Sequence, residues 1–204
     1  ANPAPFASYL KLPNLEIASA SPELFLERSG QRIKSTPIKG TATTASFGEK
    51  DKAENVMIVD LMRNDFGSIC ESGSVDVPRL LASEAHPGLI HLVSDVVGRL
   101  RENIKWSEIV KALLPAGSIS GAPKSSAIKS INNIESEKRG PYCGVIGWVE
   151  NGQALLSVGI RIFWSQGDGK IKFGTGAGIT WQSDPKSEWE ETELKARRLI
   201  GLAQ

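Results

Sequence analysis

The dipeptide Asn151-Gly152 separates two strand-like runs, residues 143–149 and 153–164, and is the strongest short hairpin signal in the chain. Both residues tolerate positive φ, as a type I′ turn requires, and the twist of that turn suits antiparallel strands. The chain therefore doubles back here. Gly167-Asp168-Gly169 then turns into a further strand over 170–174. The N-terminal part reads the same way, with short strands over 6–10, 15–19, 24–28 and 31–36 punctuated by Pro-Asn and Ser-Gly turns. Ser29-Gly30 joins the last two as a hairpin.

Helical patterns lie between these groups. From Glu49 to Asp65 the residues Ala53, Val56, Met57, Ile58 and Leu61 recur at three- and four-residue spacings. Ser107 is placed to cap a helix that runs to Leu114 and ends at Pro115, and Pro123 opens another that Gly140-Pro141 stops. Asp184-Pro185, a capping residue followed by proline, starts a last helix reaching about Leu202. Strands joined by tight turns, with helices between groups of them, predict an α+β domain with antiparallel sheets. With 204 residues the chain can bury one substantial core, so we expect one domain over 1–204.

Charge and composition narrow the classes. A net charge of +1 offers neither a basic field for nucleic acid nor an acidic tail. No apolar run approaches the roughly 20 residues of a membrane span, and a signal-peptide layout is missing, so a cytoplasmic location is expected. Cys70 and Cys143 match no metal or redox spacing and are expected to be reduced core residues. The opening Ala1-Asn2-Pro3-Ala4-Pro5-Phe6 lacks an initiator methionine and suggests a fragment.

Several familiar sites are excluded. Gly174-Thr175-Gly176-Ala177-Gly178 has its third glycine one residue too early for a dinucleotide fingerprint. Gly117-Ser118-Ile119-Ser120-Gly121-Ala122-Pro123-Lys124 resembles a phosphate loop, but alanine and proline separate glycine from lysine, and the nucleophile-elbow spacing is lacking. With only His86 and His91, a histidine-rich metal site is impossible. The acidic pairs say more. Asp51 with Glu54, and Glu188 with Glu191, stand at i, i+3 and project from one helical face each. Two such faces brought together form an all-oxygen site suited to Mg²⁺ rather than zinc, although such pairs also lie commonly on solvated faces. Lys39, in the apolar Thr36-Pro37-Ile38-Lys39-Gly40-Thr41, is either a desolvated nucleophile or a lysine reaching to water from a strand end. Arg161 interrupts the apolar Val158-Gly159-Ile160-Arg161-Ile162-Phe163 and needs an anionic partner, which is either a ligand carboxylate or a structural ion pair.

These motifs fall in one register. Ser21-Pro22-Glu23, Pro37-Ile38-Lys39-Gly40-Thr41, Asp51-Lys52-Ala53-Glu54-Asn55, Asp60-Leu61-Met62-Arg63-Asn64-Asp65 and His91-Leu92-Val93-Ser94 come first. The Gly117-to-Lys124 stretch, the glycine run from Gly174 and Glu188-Trp189-Glu190-Glu191-Thr192 follow. The series resembles the chorismate-binding family, which includes anthranilate, aminodeoxychorismate, isochorismate and salicylate synthases, and it covers essentially the whole chain.

The resemblance implies two facing antiparallel β-sheets with helices outside, forming the C-terminal catalytic core of a longer enzyme whose upstream region is missing here. It implies that Mg²⁺ binds chorismate's ring carboxylate through Glu54, Glu188 and Glu191, with Asp51 in a supporting acidic position and Lys195 near the metal end. Tyr142, Arg161 and Gly176 match positions that hold the enolpyruvyl carboxylate. Thr41, His91 and Ser118 also match substrate-contacting positions, and Glu23 matches the acid that assists loss of the C4 hydroxyl. Lys39 is the discriminating letter: Pro-Ile-Lys-Gly-Thr is similar to aminodeoxychorismate synthases, where direct-C2-amination relatives typically carry alanine. That implies attack of the lysine on C2, then ammonia at C4, with a glutaminase (glutamine amidotransferase) partner supplying the ammonia for para-aminobenzoate and folate synthesis. Anthranilate synthase-type chemistry and a non-catalytic chorismate-binding fragment are the rival expectations. The sequence departs from the family in lacking the upstream region and in its short segment between Thr41 and Lys50, where Ala42-Thr43-Thr44 replaces basic residues.

Overall fold

In the computed structural model, which describes residues 4–42, 44–86 and 89–201, five strands come first: β1 (Phe6–Leu12), β2 (Leu15–Ser21), β3 (Leu24–Ser29), β4 (Arg32–Thr36) and β5 (Ile38–Ala42). Helix α1 (Glu49–Gly67) leads into the long strands β6 (Asp76–His86) and β7 (Leu89–Arg99). The helices α2 (Trp106–Leu113), α3 (Gly117–Ser120) and α4 (Lys124–Ile134) follow. Strands β8 (Val145–Glu150), β9 (Gln153–Val158), β10 (Ile162–Ser165) and β11 (Lys172–Phe173) precede the last helix, α5 (Pro185–Ile200).

Among the described residues the strands form two sheets, one ordered β1-β2-β10-β11 and the other β5-β7-β4-β3-β9-β8, with β6 also paired to β7. Every described pairing is antiparallel. The fold is therefore α+β with two antiparallel sheets, as expected. The Asn151-Gly152 turn joins β8 to β9, with Glu150 opposite Gln153. Ile146 of β8 packs with Ile17, Ile162 and Trp164 of the other sheet, so the sheets meet through their apolar faces. The larger core lies where Phe25, Leu26, Ile33 and Val96 of the larger sheet receive Val59 and Phe66 of α1 and Ile109 and Leu113 of α2.

The chain changes sheet twice, and the two crossings are bonded together. Between β2 and β3 it passes Ser21 to Glu23, and between β9 and β10 it passes Val158 to Ile162. Val158 N donates to Glu23 O (3.0 Å), Ala20 N to Arg161 O (3.0 Å), and Ser21 Oγ to Val158 O (2.7 Å). The single strand expected over 153–164 is thus two strands in two sheets. Gly159 breaks it: a Cβ there would lie 2.7 Å from Pro141 O, so the backbones approach in a way only glycine allows. Arg161 stands in this break with φ 53°, not within a strand.

Other expectations are corrected in detail. The strands β6 and β7, which pair from Asp76 opposite Val97 onward, were not foreseen from the sequence. Helix α1 buries Asn55, Ile58, Val59, Asp65 and Phe66, whereas Val56 and Met57 are exposed, so the buried stripe is rotated from the one the apolar letters suggest. Lys105, not Ser107, occupies the N-cap of α2, and α4 ends at Ile134, well before Gly140-Pro141. Asp184 does cap α5, accepting from Ser187 N, with Pro185 in the first turn. Ala1, Asn2, Pro3, Thr43 and Leu202 lie outside the described residues. Cys70 is buried and Cys143 half-buried, and both are free thiols. No helix among the described residues is long and apolar enough to cross a membrane.

Candidate active site

Lys39 reaches its place because β5 lies on the first turn of α1. Gly40 has φ 86°, and a Cβ there would come within 3.1 Å of both Asp51 Cβ and Phe47 Cδ1. The Lys39 amine donates to the Ser118 carbonyl at 2.9 Å. Ser118 sits on the one-turn helix α3, which approaches α1 closely at Gly117, where a Cβ would be 2.8 Å from Leu61 Cδ2. Glu23 enters from the first sheet crossing and is buried. Burial pushes its carboxyl up to about 7, against the opposing pull of the Ser118 hydroxyl, the Lys39 charge and the Ile38 N–H. Glu23, Ser118 and Asp65 share the wall of a cavity of about 20 Å³, room for one water. An amine and an acid that is partly neutral near pH 7 therefore stand at one corner, the pairing a nucleophilic displacement with proton donation requires.

The acidic residues continue from this corner. A Cβ on Gly178 would lie 3.8 Å from Glu54 Oε2 and 3.9 Å from Lys39 Nζ, so Glu54 and Lys39 border the same backbone. Burial raises Glu54, with the Lys39 and Lys50 charges opposing. Lys50 Nζ lies 2.9 Å from Glu188 Oε1 and 4.0 Å from Glu54 Oε1, joining the carboxylate of α1 to that of α5. Hydrogen bonds from Ser183 (2.6 Å) and Lys50 hold the Glu188 carboxyl below the usual range. Glu191 pairs instead with Lys195 at 2.6 Å. Among the described residues no three His, Cys, Asp or Glu side chains are gathered as a metal cluster. The donors present are nevertheless all hard oxygens, and an ammonium stands between two of them where a cation would be held, which fits Mg²⁺ in kind. Asp51 is engaged in capping, accepting from Gly48 N at 3.1 Å.

The expected substrate-binding residues fall into two further groups. Lys195 donates to Gly176 O at 3.3 Å, and a Cβ on Gly176 would lie 3.3 Å from the Tyr142 hydroxyl. The neighbouring Gly174 lies on the Tyr142 ring, where a Cβ would collide with the ring carbons. Tyr142 and Arg161 come from segments joined by Cys143 N donating to Gly159 O at 2.8 Å. Burial raises the Tyr142 phenol above its ordinary value, so it stays a neutral donor. Thr41 and His91 are opposite each other on β5 and β7, with Thr41 Oγ1 2.9 Å from His91 Nδ1. The structure thus links Lys39, Glu23 and Ser118; Glu54 and Glu188; Glu191, Lys195, Gly176 and Tyr142; and Thr41 with His91.

Sequence reasoning missed Lys50, Ser183 and Asn55. Lys50 and Glu54 are an i, i+4 pair, a signal that reads as an ordinary helix surface. Ser183 carries no local signal. Asn55 follows Glu54 and is wholly buried; its Oδ1 accepts from Ser94 Oγ at 2.5 Å and its Nδ2 donates to Leu92 O at 3.4 Å. That bonding fixes the turn of α1 that bears Glu54.

The family model described as chorismate binding enzyme matches residues 1–201. The chain is 38% identical to anthranilate synthase component 1 1 of Haloarcula marismortui, over 98% of this chain and 43% of that protein. It is equally 38% identical to aminodeoxychorismate synthase component 1 of Escherichia coli, over 98% of this chain and 47% of that one. The crystal structure of anthranilate synthase component I from Streptococcus pneumoniae superposes with TM-score 0.88 at 34% identity, covering 97% of this chain and 46% of that one. The chain spans about half the length of the curated relatives it matches. The chain belongs to the chorismate binding enzyme family.

Proposed function

We propose that this chain is the catalytic part of an aminodeoxychorismate synthase, converting chorismate to 4-amino-4-deoxychorismate through a covalent bond to Lys39. The observation that carries the reading is the Lys39 amine held 2.9 Å from the Ser118 carbonyl, beside the buried acid Glu23. In its uncharged form the Lys39 amine bonds to chorismate C2 while the two conjugated ring double bonds shift and the C4–O bond breaks. Glu23 gives its proton to the departing hydroxyl, which leaves as water. Ammonia then bonds to C4, both double bonds shift back, the C2–N bond to Lys39 breaks, and the new ammonium returns a proton to Glu23; the enolpyruvyl group is untouched. Two allylic displacements thus replace one difficult substitution at C4.

Around that centre, Tyr142, Arg161 and Gly176 hold the enolpyruvyl carboxylate, with Thr41, His91 and Ser118 along the ring. Glu54, Glu188 and Glu191 would hold Mg²⁺, with Asp51 supporting them and Lys195 nearby. When bound, the ion supplies positive charge to anchor the ring carboxylate. A glutamine amidotransferase supplies ammonia, and the reaction belongs in the cytoplasm, on the path to para-aminobenzoate and folate.

Equal identity to the anthranilate synthase relative favours a second reading, amination at C2 with loss of pyruvate. One pair of measurements separates them. Full-length protein incubated with chorismate and Mg²⁺ but no ammonia should gain the mass of chorismate less one water, and peptide mapping should place it on Lys39. Lys39→Ala should lower aminodeoxychorismate formation by about 10³-fold or more, as loss of a covalent nucleophile does. A parent that makes anthranilate, or a variant that aminates C4 at the parental rate, refutes the first reading.

A further inference from the structure

Asp65 and Lys124 take no part in the chemistry above, yet both are largely enclosed, with side chains 11% and 15% exposed and Nζ 2.6 Å from Oδ2. The same ammonium donates to Leu113 O at 3.0 Å. Leu113 ends α2 and Lys124 begins α4, so one side chain closes the segment between them and ties it to α1. That segment carries α3, and with it Ser118, whose carbonyl receives the Lys39 amine. Asp65 also shares the small cavity with Glu23 and Ser118.

We propose that Asp65–Lys124 is a positioning pair for the catalytic corner: it clamps the α2–α4 segment against α1 and so sets where Ser118 meets Lys39 and Glu23. A buried ion pair contributes little net stability compared with well-packed apolar side chains, so stability alone is a poor reason for one here. Direction is a better one. The ammonium has a fixed carboxylate on α1 and a fixed carbonyl at the end of α2, and both contacts hold only when the segment lies in one place. Burial lifts the Asp65 carboxyl, with Lys124 opposing. Loss of that ammonium therefore favours a neutral Asp65 on the wall shared with Glu23, and the α3 turn loses its anchor.

The proposal rests on the amination reading for its kinetic arm only. In full-length protein, Lys124→Met, Lys124→Arg and the double variant Asp65→Asn/Lys124→Met are compared with the parent after circular dichroism establishes folding. Trace labelling with acetic anhydride, read by mass spectrometry, reports Lys39 reactivity against the surface Lys186 as internal standard. Lys124→Met should change relative Lys39 labelling about threefold or more and lower kcat about 10- to 100-fold with KM nearly constant, since small displacements of a reacting group cost that much. Lys124→Arg, which keeps the charge and donors, should recover most of both. Should Lys124→Met fail to fold, the double variant, which leaves no unpaired buried charge, should fold and show the same changes. Parental labelling and kcat in the folded Met or double variant overturns the proposal, as does an Arg variant no better than Met, or a double variant that also fails to fold. If Lys39 proves dispensable for turnover while its labelling still follows position 124, the amination reading falls and the positioning pair stands.

Discussion

Glu23 is buried beside a lysine, and that single circumstance sets a pH dependence. Its folded pKa of about 7 lies above the ordinary 4.5, so the folded protein holds this proton more tightly than the unfolded chain. The associated stability is fully present below about pH 4.5 and is lost as pH rises through about 7, a change of about 3 kcal/mol by linkage. On the proposed mechanism Glu23 donates its proton to the C4 hydroxyl and must be neutral, so kcat/KM should fall on the alkaline side of about 7. In Glu23→Gln that limb should vanish, the rate should drop about 10²- to 10⁴-fold, and urea titrations should lose their slope with pH in this window. A limb that persists in Glu23→Gln assigns it to another group. Nothing local in Ser21-Pro22-Glu23 says that the carboxyl is buried; the sequence reads as a turn, and the groups around the carboxyl, Ser118, Lys39 and the Ile38 N–H, come from elsewhere in the chain. Lys39 shows the same limit. Its apolar neighbours were legible, but its acceptor is the carbonyl of Ser118, far along the chain.

Helix α1 is held to β7 by a polar contact inside an apolar interface. Ser94 Oγ donates to Asn55 Oδ1 and accepts from Leu81 N at 3.0 Å, so one hydroxyl serves the helix and β6 together. Ser94→Ala takes that partner from the buried Asn55 amide and the half-buried Leu81 N–H and should cost about 2–4 kcal/mol in urea unfolding, more than its lost volume explains. A cost below about 0.5 kcal/mol would mean that a water takes the place of the hydroxyl. Elements with their own punctuation were legible from sequence: α5 from Asp184-Pro185, the β8–β9 hairpin from Asn151-Gly152, and α1 in extent. The strands β6 and β7 were not, for two physical reasons. Leu92, Val93, Ser94, Asp95 and Val96 are buried in unbroken succession, which erases the period-two alternation of a half-exposed strand. The register of β6 shifts between Asp76 and Arg79 and again between Arg79 and Ala82, so its side-chain pattern changes phase twice.

At the scale of the molecule, α1 and α5 stand far apart in sequence and meet through Lys50. If Mg²⁺ takes its place between Glu54 and Glu188, the ion links the same two helices more strongly and binds the folded state alone. Melting temperature should therefore rise with Mg²⁺, by about 2.7 kcal/mol of stability at 100 times Kd, and chelator should reverse it. Lys50→Met, which removes the competing charge, should bind Mg²⁺ more tightly, and Glu188→Ala should abolish the shift. A melting temperature indifferent to Mg²⁺ in the parent would rule the site out. The acidic pairs stood out by their spacing and the family resemblance gave them a role, whereas Lys50, the residue that joins them, shows in the sequence only as an ordinary i, i+4 partner of Glu54. The two sheet crossings have a mechanical consequence of their own. Because they are bonded to each other from Ala20 through Glu23 to Arg161, they stitch the two sheets together along one seam. Glu23 belongs to that seam, so the place of the acid is set by backbone from both crossings at once and not by a single strand end.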